Sequence, residues 1–374
     1  MAAMAGNFAI SIVTAASLNY LWSMLNGLQL QTHLELFNLK FPANASFLQN
    51  FLITIATFDI TPIEAIWFFF DLPELGSYSP SFGDSGYDYI FLVENMGTCF
   101  FMVQIYILFC LVTLGLGILI KYCSIPKAQP RHKKMKDTLF WGTAIRFVFE
   151  SYLELVICVT IGMVNISWSQ DNLSIPYCSV FTVVFMLAVF IMPLFTSVFY
   201  YWKIDKVEEE QFTSDYGTLY DGLELDAAKH KRKSALIYPF LFIFRRLAFS
   251  LSVFAYADFA WAQIAIQFAS CLTMLMYLGF IFPFESDFVN RIEIFNELAG
   301  LLLCYFMFCF SDWIPEATMR YLVGWAFILM VCGHLSTHLV IVARSTFQEL
   351  KETFKAKYAK AKEIKQKLSG KEIL

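Results

Sequence analysis

Apolar residues collect into eight runs long enough to cross a bilayer as helices, which takes about 20 residues. The runs are Phe8–Leu28, Ile90–Ile120, Leu139–Ile166, Tyr177–Trp202, Ala235–Ala257, Ala260–Phe284, Ile292–Trp313 and Tyr321–Ala343. In lipid each must be helical, because backbone groups find no water to bond there. A further apolar stretch, Phe47–Phe70, is broken by Asp59, Pro62 and Glu64. The proline and the two acids predict an interfacial or re-entrant helix pair rather than a span. Beyond Thr346, apolar Leu350, Phe354, Ala361, Ile364 and Leu368 recur at mostly helical spacings among lysines. That predicts a basic helix, which either lies on an anionic leaflet, forms a short coiled coil, or extends the last span into solvent. The fold expected is an all-α, polytopic transmembrane helical bundle of about eight spans, with a short interfacial helix and a basic C-terminal helix. Its segments are a first span (1–30), an outer segment with interfacial helices (31–89), spans two to four (90–202), a cytoplasmic loop (203–234), spans five to eight (235–345) and a basic cytoplasmic tail (346–374).

The longest charged interruption begins at Lys203 and hands over to a span that carries Arg245 and Arg246. Within it, Asp215-Tyr-Gly-Thr218 reads as a turn, with Gly217 free to take positive φ. Tyr216 and Tyr220 lie four apart and are expected to pack on inner helix ends. Lys229, Lys231, Arg232 and Lys233 sit just before span five. Each is worth about 1 kcal/mol against anionic headgroups. They read as a lipid- or ligand-responsive linker ahead of a gating helix, or as a plain topology signal.

Composition narrows the class. Only 16% of residues are charged and 58% are hydrophobic, against about 25% charged in soluble domains. Soluble enzymes and nucleic-acid binders are set aside, and the lipid bilayer is the first partner. Of the 27 lysines and arginines, 22 fall in the loops after spans two, four and six and in the tail. By the positive-inside rule both termini of this multi-pass membrane protein are expected in the cytoplasm. Three Asn-x-Ser sequons, at Asn44, Asn165 and Asn172, fall in or beside loops placed outside, where glycosylation acts. Nine dispersed cysteines form no CxxC pair, so neither a disulfide framework nor a metal cluster is expected. No catalytic or cofactor-binding motif is present, so the expectation is a non-enzyme without cofactor or metal.

Charges inside spans are costly and usually face a bundle interior or a wet cavity. Arg146, Glu150 and Glu154 follow at i, i+4 and i+8 on one face of span three. They form either a polar lining for an ion path, with Glu154 as a cation site, or an Arg146–Glu150 pair that fixes packing. Arg245 and Arg246 point about 100° apart. Arg245 is placed to snorkel inwards or to pair with Glu297 or Glu150. Four arginines at every third position, the voltage-sensor pattern, are absent. His334 and His338 are spaced to bind a metal or, more in keeping with their neighbours, to hydrogen-bond across helices. Asn26, Gln29 and Asn296 offer interhelical bonds or pore lining.

Several stretches resemble a known membrane module. They are Leu25–Leu30, Pro42–Ala45, Ala56–Pro62, Tyr216–Leu223 and Phe244-Arg-Arg-Leu247. Together they look like the multi-span module of large surface proteins of ciliated protozoa, and are similar to the fungal TRP-like channel family. The resemblance covers roughly residues 8–345. It implies a TRP- or polycystin-like helical domain and cation conduction. Most such proteins carry a long extracellular repeat region first, and only seven residues precede the first expected span. A fragment and a stand-alone form both fit. The function expected is a TRP-like cation channel or channel subunit. The alternatives are a non-conducting structural or receptor-type subunit, as a homo-oligomer or with a protein partner, and a transporter.

Overall fold

The computed structural model describes residues 16–57, 72–73, 75–123, 129, 132–133, 136, 138–168, 173–207, 209, 212, 216–225 and 233–369. The named elements are helices: α1 (Ala16–Thr32), α2 (Ala43–Thr57), α3 (Pro80–Asp84), α4 (Leu92–Asn95), α5 (Gly97–Tyr122), α6 (Ala144–Val164), α7 (Ser174–Lys203), α8 (Tyr238–Ala255), α9 (Ala260–Ile281), α10 (Asp287–Phe310) and α11 (Ala317–Ser369). Seven of them, α5 to α11, are long and apolar enough to cross a membrane. They match the second to eighth expected spans, so the described residues form a helical fold and the chain is a multi-pass membrane protein. The second span is interrupted at Met96, between α4 and α5. The eighth span and the tail form one helix of 53 residues.

The bundle is built around α6, which packs on α7 and α8. On α6, Tyr152, Val156, Ile157 and Ile161 are all fully buried. Helices α9, α10, α11 and α1 form a second group, joined to the first by contacts of α8 with α9. By contrast α5 is peripheral: 6% of its apolar window is buried, against 56% for α6.

The first span departs from a simple helix. Residues 8–15 lie outside the described part. The 17 residues of α1 rise about 26 Å at 1.5 Å each, short of the roughly 30 Å hydrocarbon core. The helix stops at Thr32 because side chains capture its carbonyls. His33 Nδ1 donates to Gln29 O at 2.6 Å, and Thr32 Oγ1 donates to Leu28 O at 3.0 Å. A 3-10 turn, His33–Leu36, and an irregular run follow. Non-helical backbone at membrane depth survives only where protein covers it. Here Leu34, Leu36 and Phe37 are buried. Asn38 N donates to Gln263 Oε1 at 2.9 Å, and Lys40 N to Phe310 O at 2.9 Å. Tyr20 packs on Phe288 at the start of α10, and Lys40 Nζ pairs with Asp312 at 2.5 Å just past its end. Residues 20–40 therefore run the length of α10. Lys40 holds the Asp312 carboxyl below the usual carboxylate range.

The stretch expected to be interfacial is represented by α2, which turns back along α11. Asn44 Nδ2 donates to Tyr321 O at 3.0 Å, and Gln49 Nε2 to Gln31 O at 2.9 Å. The described half is thus packed within the bundle. Asp59, Pro62 and Glu64 lie outside the described residues.

Candidate functional site

Two adjacent arginines of α8 anchor the interior. Arg245 Nη1 is ion-paired with Glu297 of α10, and its Nη2 donates to Cys271 Sγ of α9 at 3.1 Å. With side chains 11% and 6% exposed, this pair is internal. The snorkelling expected for Arg245 is corrected: a buried carboxylate lies within reach, so the side chain does not extend to the surface. Arg246, rotated by about 100°, faces α1 and is 2% exposed. Its Nη2 donates to Asn26 Oδ1 at 3.1 Å and Gln29 Oε1 at 3.2 Å, and its Nη1 to Phe242 O at 3.3 Å. The guanidinium also lies 3.5 Å from the Phe242 ring centroid.

The three charges of α6 separate. Arg146 pairs with Asp221 at 3.0 Å, not with Glu150 as the i, i+4 spacing predicts. The reason is local. Arg146 is in the first turn of α6, where the 217–223 segment docks. That segment is held by a small core of Ile204, Val207, Tyr220, Leu223 and Leu236, and by a bridge from Leu223 to Phe284. Its left-handed glycine is Gly222, at φ 77°, while Gly217 opens a 3-10 turn. The turn therefore sits five residues later than expected. Glu150 is 8% exposed, its Oε2 is buried without a hydrogen-bond partner, and its backbone carbonyl accepts from Gln29 Nε2 at 2.9 Å. Glu154 is half-buried and makes no ion pair or hydrogen bond among the described residues.

A cavity of about 250 Å³ opens between α1, α6, α8, α10 and the 218–223 segment. Glu150 and Glu293 line it, with Asp221 and Glu285 exposed at its rim. A smaller void of about 40 Å³ surrounds Arg245, Arg246 and Glu297. Glu293 was not singled out from the sequence, although its i, i+4 spacing to Glu297 puts both on one face of α10.

Deeper lies a neutral network. His334 Nε2 and His338 Nε2 both reach Asn296 Oδ1, at 3.0 and 2.6 Å. An amide oxygen only accepts, so both rings carry the proton on Nε2. His334 Nδ1 then accepts from Gln31 Nε2 at 3.2 Å, and Asn296 Nδ2 donates to Ser23 Oγ at 3.0 Å. The histidines thus join helices α10, α11 and α1. Among the described residues no group of three His, Cys, Asp or Glu is placed to hold a metal.

The linker residues are partly described. Tyr216 packs on Phe199 of α7 at 5.2 Å, and Tyr220 Oη donates to Val207 O at 3.4 Å. Lys233 Nζ lies 5.7 Å from the Tyr201 ring centroid. Lys229, Lys231 and Arg232 lie outside the described residues, as does Asn172. The other two sequon amides are engaged: Asn44 with Tyr321 O, and Asn165 Nδ2 with Ile161 O at 2.9 Å. Comparison with family models, curated proteins and solved structures finds no match for this chain.

Proposed function

We propose that this chain is a TRP-like membrane protein that passes cations, with both termini cytoplasmic and Glu150 and Glu154 as the acids along the route. One observation carries the reading: a column of polar groups follows α6 and the broken α1 through the bundle. Gln29 bonds the Glu150 carbonyl, His33 bonds Gln29, and His33 Nε2 accepts from Tyr87 Oη at 2.9 Å. Beside this column Glu154 has no countercharge among the described residues. An acid at membrane depth that meets no countercharge among the described residues is a candidate functional group, since its burial is costly. The test is Na⁺, K⁺ and Ca²⁺ flux through purified protein in sealed liposomes, wild type beside Glu154→Gln. The expected result is flux above empty liposomes that falls severalfold in the variant. Folded, inserted wild type that passes none of the three ions overturns the proposal.

A second reading, a non-conducting subunit that assembles with a partner, is favoured by α5. That helix buries little of its apolar surface on its own bundle. A stable complex on purification, without flux, would select it.

A further inference from the structure

The cavity of about 250 Å³ between α1, α6, α8 and α10 carries chemistry that packing leaves unused. Two carboxylates line it, Glu150 and Glu293, each 8% exposed. Glu150 Oε2 is buried there and meets no hydrogen-bond donor. Leaving such an oxygen unsatisfied is costly, and more so when it is charged.

The neighbouring cations are already committed. Arg146 is held by Asp221, and Arg245 by Glu297. Arg246 gives its bonds to Asn26, Gln29 and the Phe242 carbonyl. Setting aside the Arg146–Asp221 pair, the acids Glu150, Glu293 and Glu297 that line this cavity and the adjoining void outnumber the arginines Arg245 and Arg246 by one. Glu285 adds a further acid at the rim. The walls are aromatic, with Phe149, Tyr238, Phe242 and Phe284 lining the same space.

This combination selects among cations. A divalent metal wants several oxygen or nitrogen ligands at once, and no such group is placed here among the described residues. An ammonium head supplies N–H donors to carboxylates. Aromatic faces attract the same head and cover its carbon skeleton. The volume is below the roughly 300–1,000 Å³ of drug-sized pockets, which limits the ligand to something smaller than a drug-sized molecule, of the order of one ring and a short chain.

We infer that this cavity binds a small monovalent organic ammonium, with its charge at Glu150 and Glu293 and its apolar body against Phe149 and Phe242. The site stands whether or not the protein conducts.

The probe is 2-phenylethylammonium, titrated calorimetrically into the purified full chain in detergent, with thermal unfolding measured in parallel. Neutral 2-phenylethanol and matched NaCl, KCl and CaCl₂ are the controls. The ammonium is expected to bind saturably and raise Tm, and the controls to do neither. Glu150→Gln and Glu293→Gln are each expected to weaken binding at least tenfold. Val289→Trp fills the cavity from a half-buried wall position while keeping both carboxylates in the chain, and is expected to abolish binding. It keeps the test decisive where a Gln variant fails to fold. Equal binding of the alcohol, a saturable response to an inorganic cation, unchanged affinity in folded variants, or no binding to folded wild type would each overturn the inference.

Discussion

The Arg245–Glu297 pair shows how much depends on a single partner. Both groups are nearly out of reach of water, and among the described residues Arg245 Nε and Glu297 Oε2 meet no hydrogen-bond partner. Breaking a buried pair from one side strands the other charge, at a cost of about 3–5 kcal/mol. Glu297→Gln is therefore expected to lower the Tm of the detergent-solubilised chain sharply. Arg245→Met combined with Glu297→Leu removes both charges, and should lose less stability than Glu297→Gln alone. A double variant that loses the sum of the single losses would show that the two residues are not coupled. Arg246 makes a contrasting prediction. Its N–H groups donate to neutral oxygens of Asn26, Gln29 and Phe242. Arg246→Met leaves those acceptors unsatisfied and removes a cation that acts on Glu150 through space without a direct bond, and its loss should be smaller than that of Glu297→Gln in the same assay. The Glu297 partnership was readable in the sequence, because both residues lie about two to three turns from the same end of their helices. The Asn26 and Gln29 partnership was not, since it depends on where α1 stops.

Element by element, periodicity found the long helices and missed the places where side chains compete with the backbone. Spans three to eight are apolar runs with helical spacing, and they appear as α6 to α11. The break of α1 at Thr32 leaves no mark in a hydropathy count, because a threonine and a histidine inside the chain decide it through bonds to Leu28 O and Gln29 O. The docking of residues 217–223 was equally hidden: charge marks the stretch as loop, while Tyr220 and Leu223 bury it. Close helix approach is a third feature that spacing cannot show. At Gly162 of α6 an added Cβ would meet Thr182 Oγ1 of α7 at 2.9 Å and Leu92 Cβ at 3.3 Å. Thr182 is buried, with its hydroxyl already bonded to Cys178 O at 2.9 Å, so it has little room to yield. Gly162→Ala is expected to cost about 1–3 kcal/mol by overpacking, measured as a fall in Tm. No loss would mean that α6 and α7 are free to separate there.

For the whole molecule, the order of helices makes a prediction that holds for either orientation in the membrane. Cys123 is exposed at the end of α5, and Asp312 is exposed just after α10. The five apolar helices α6 to α10 lie between them. An odd number of crossings puts the two positions on opposite faces. The charge bias predicts which is which: Asp312 outside, Cys123 inside. A membrane-impermeant maleimide applied to intact cells should label Asp312→Cys above the wild-type background. It should label Cys123 only after permeabilisation, with Cys123→Ser as the control. Labelling of both from one side would contradict the seven-helix count, while a clean reversal would contradict only the orientation. The first crossing needs its own marker. Residues 20–40 run from Phe288 to Asp312, the full length of α10, as a helix that breaks and continues irregularly. If that path crosses the bilayer, an N-terminal epitope tag shares a face with Cys123 and is stained only after permeabilisation. A tag stained on intact cells would leave α1 and its continuation as a plug inserted from one side, and the polar column beside Glu154 would then open to that side alone.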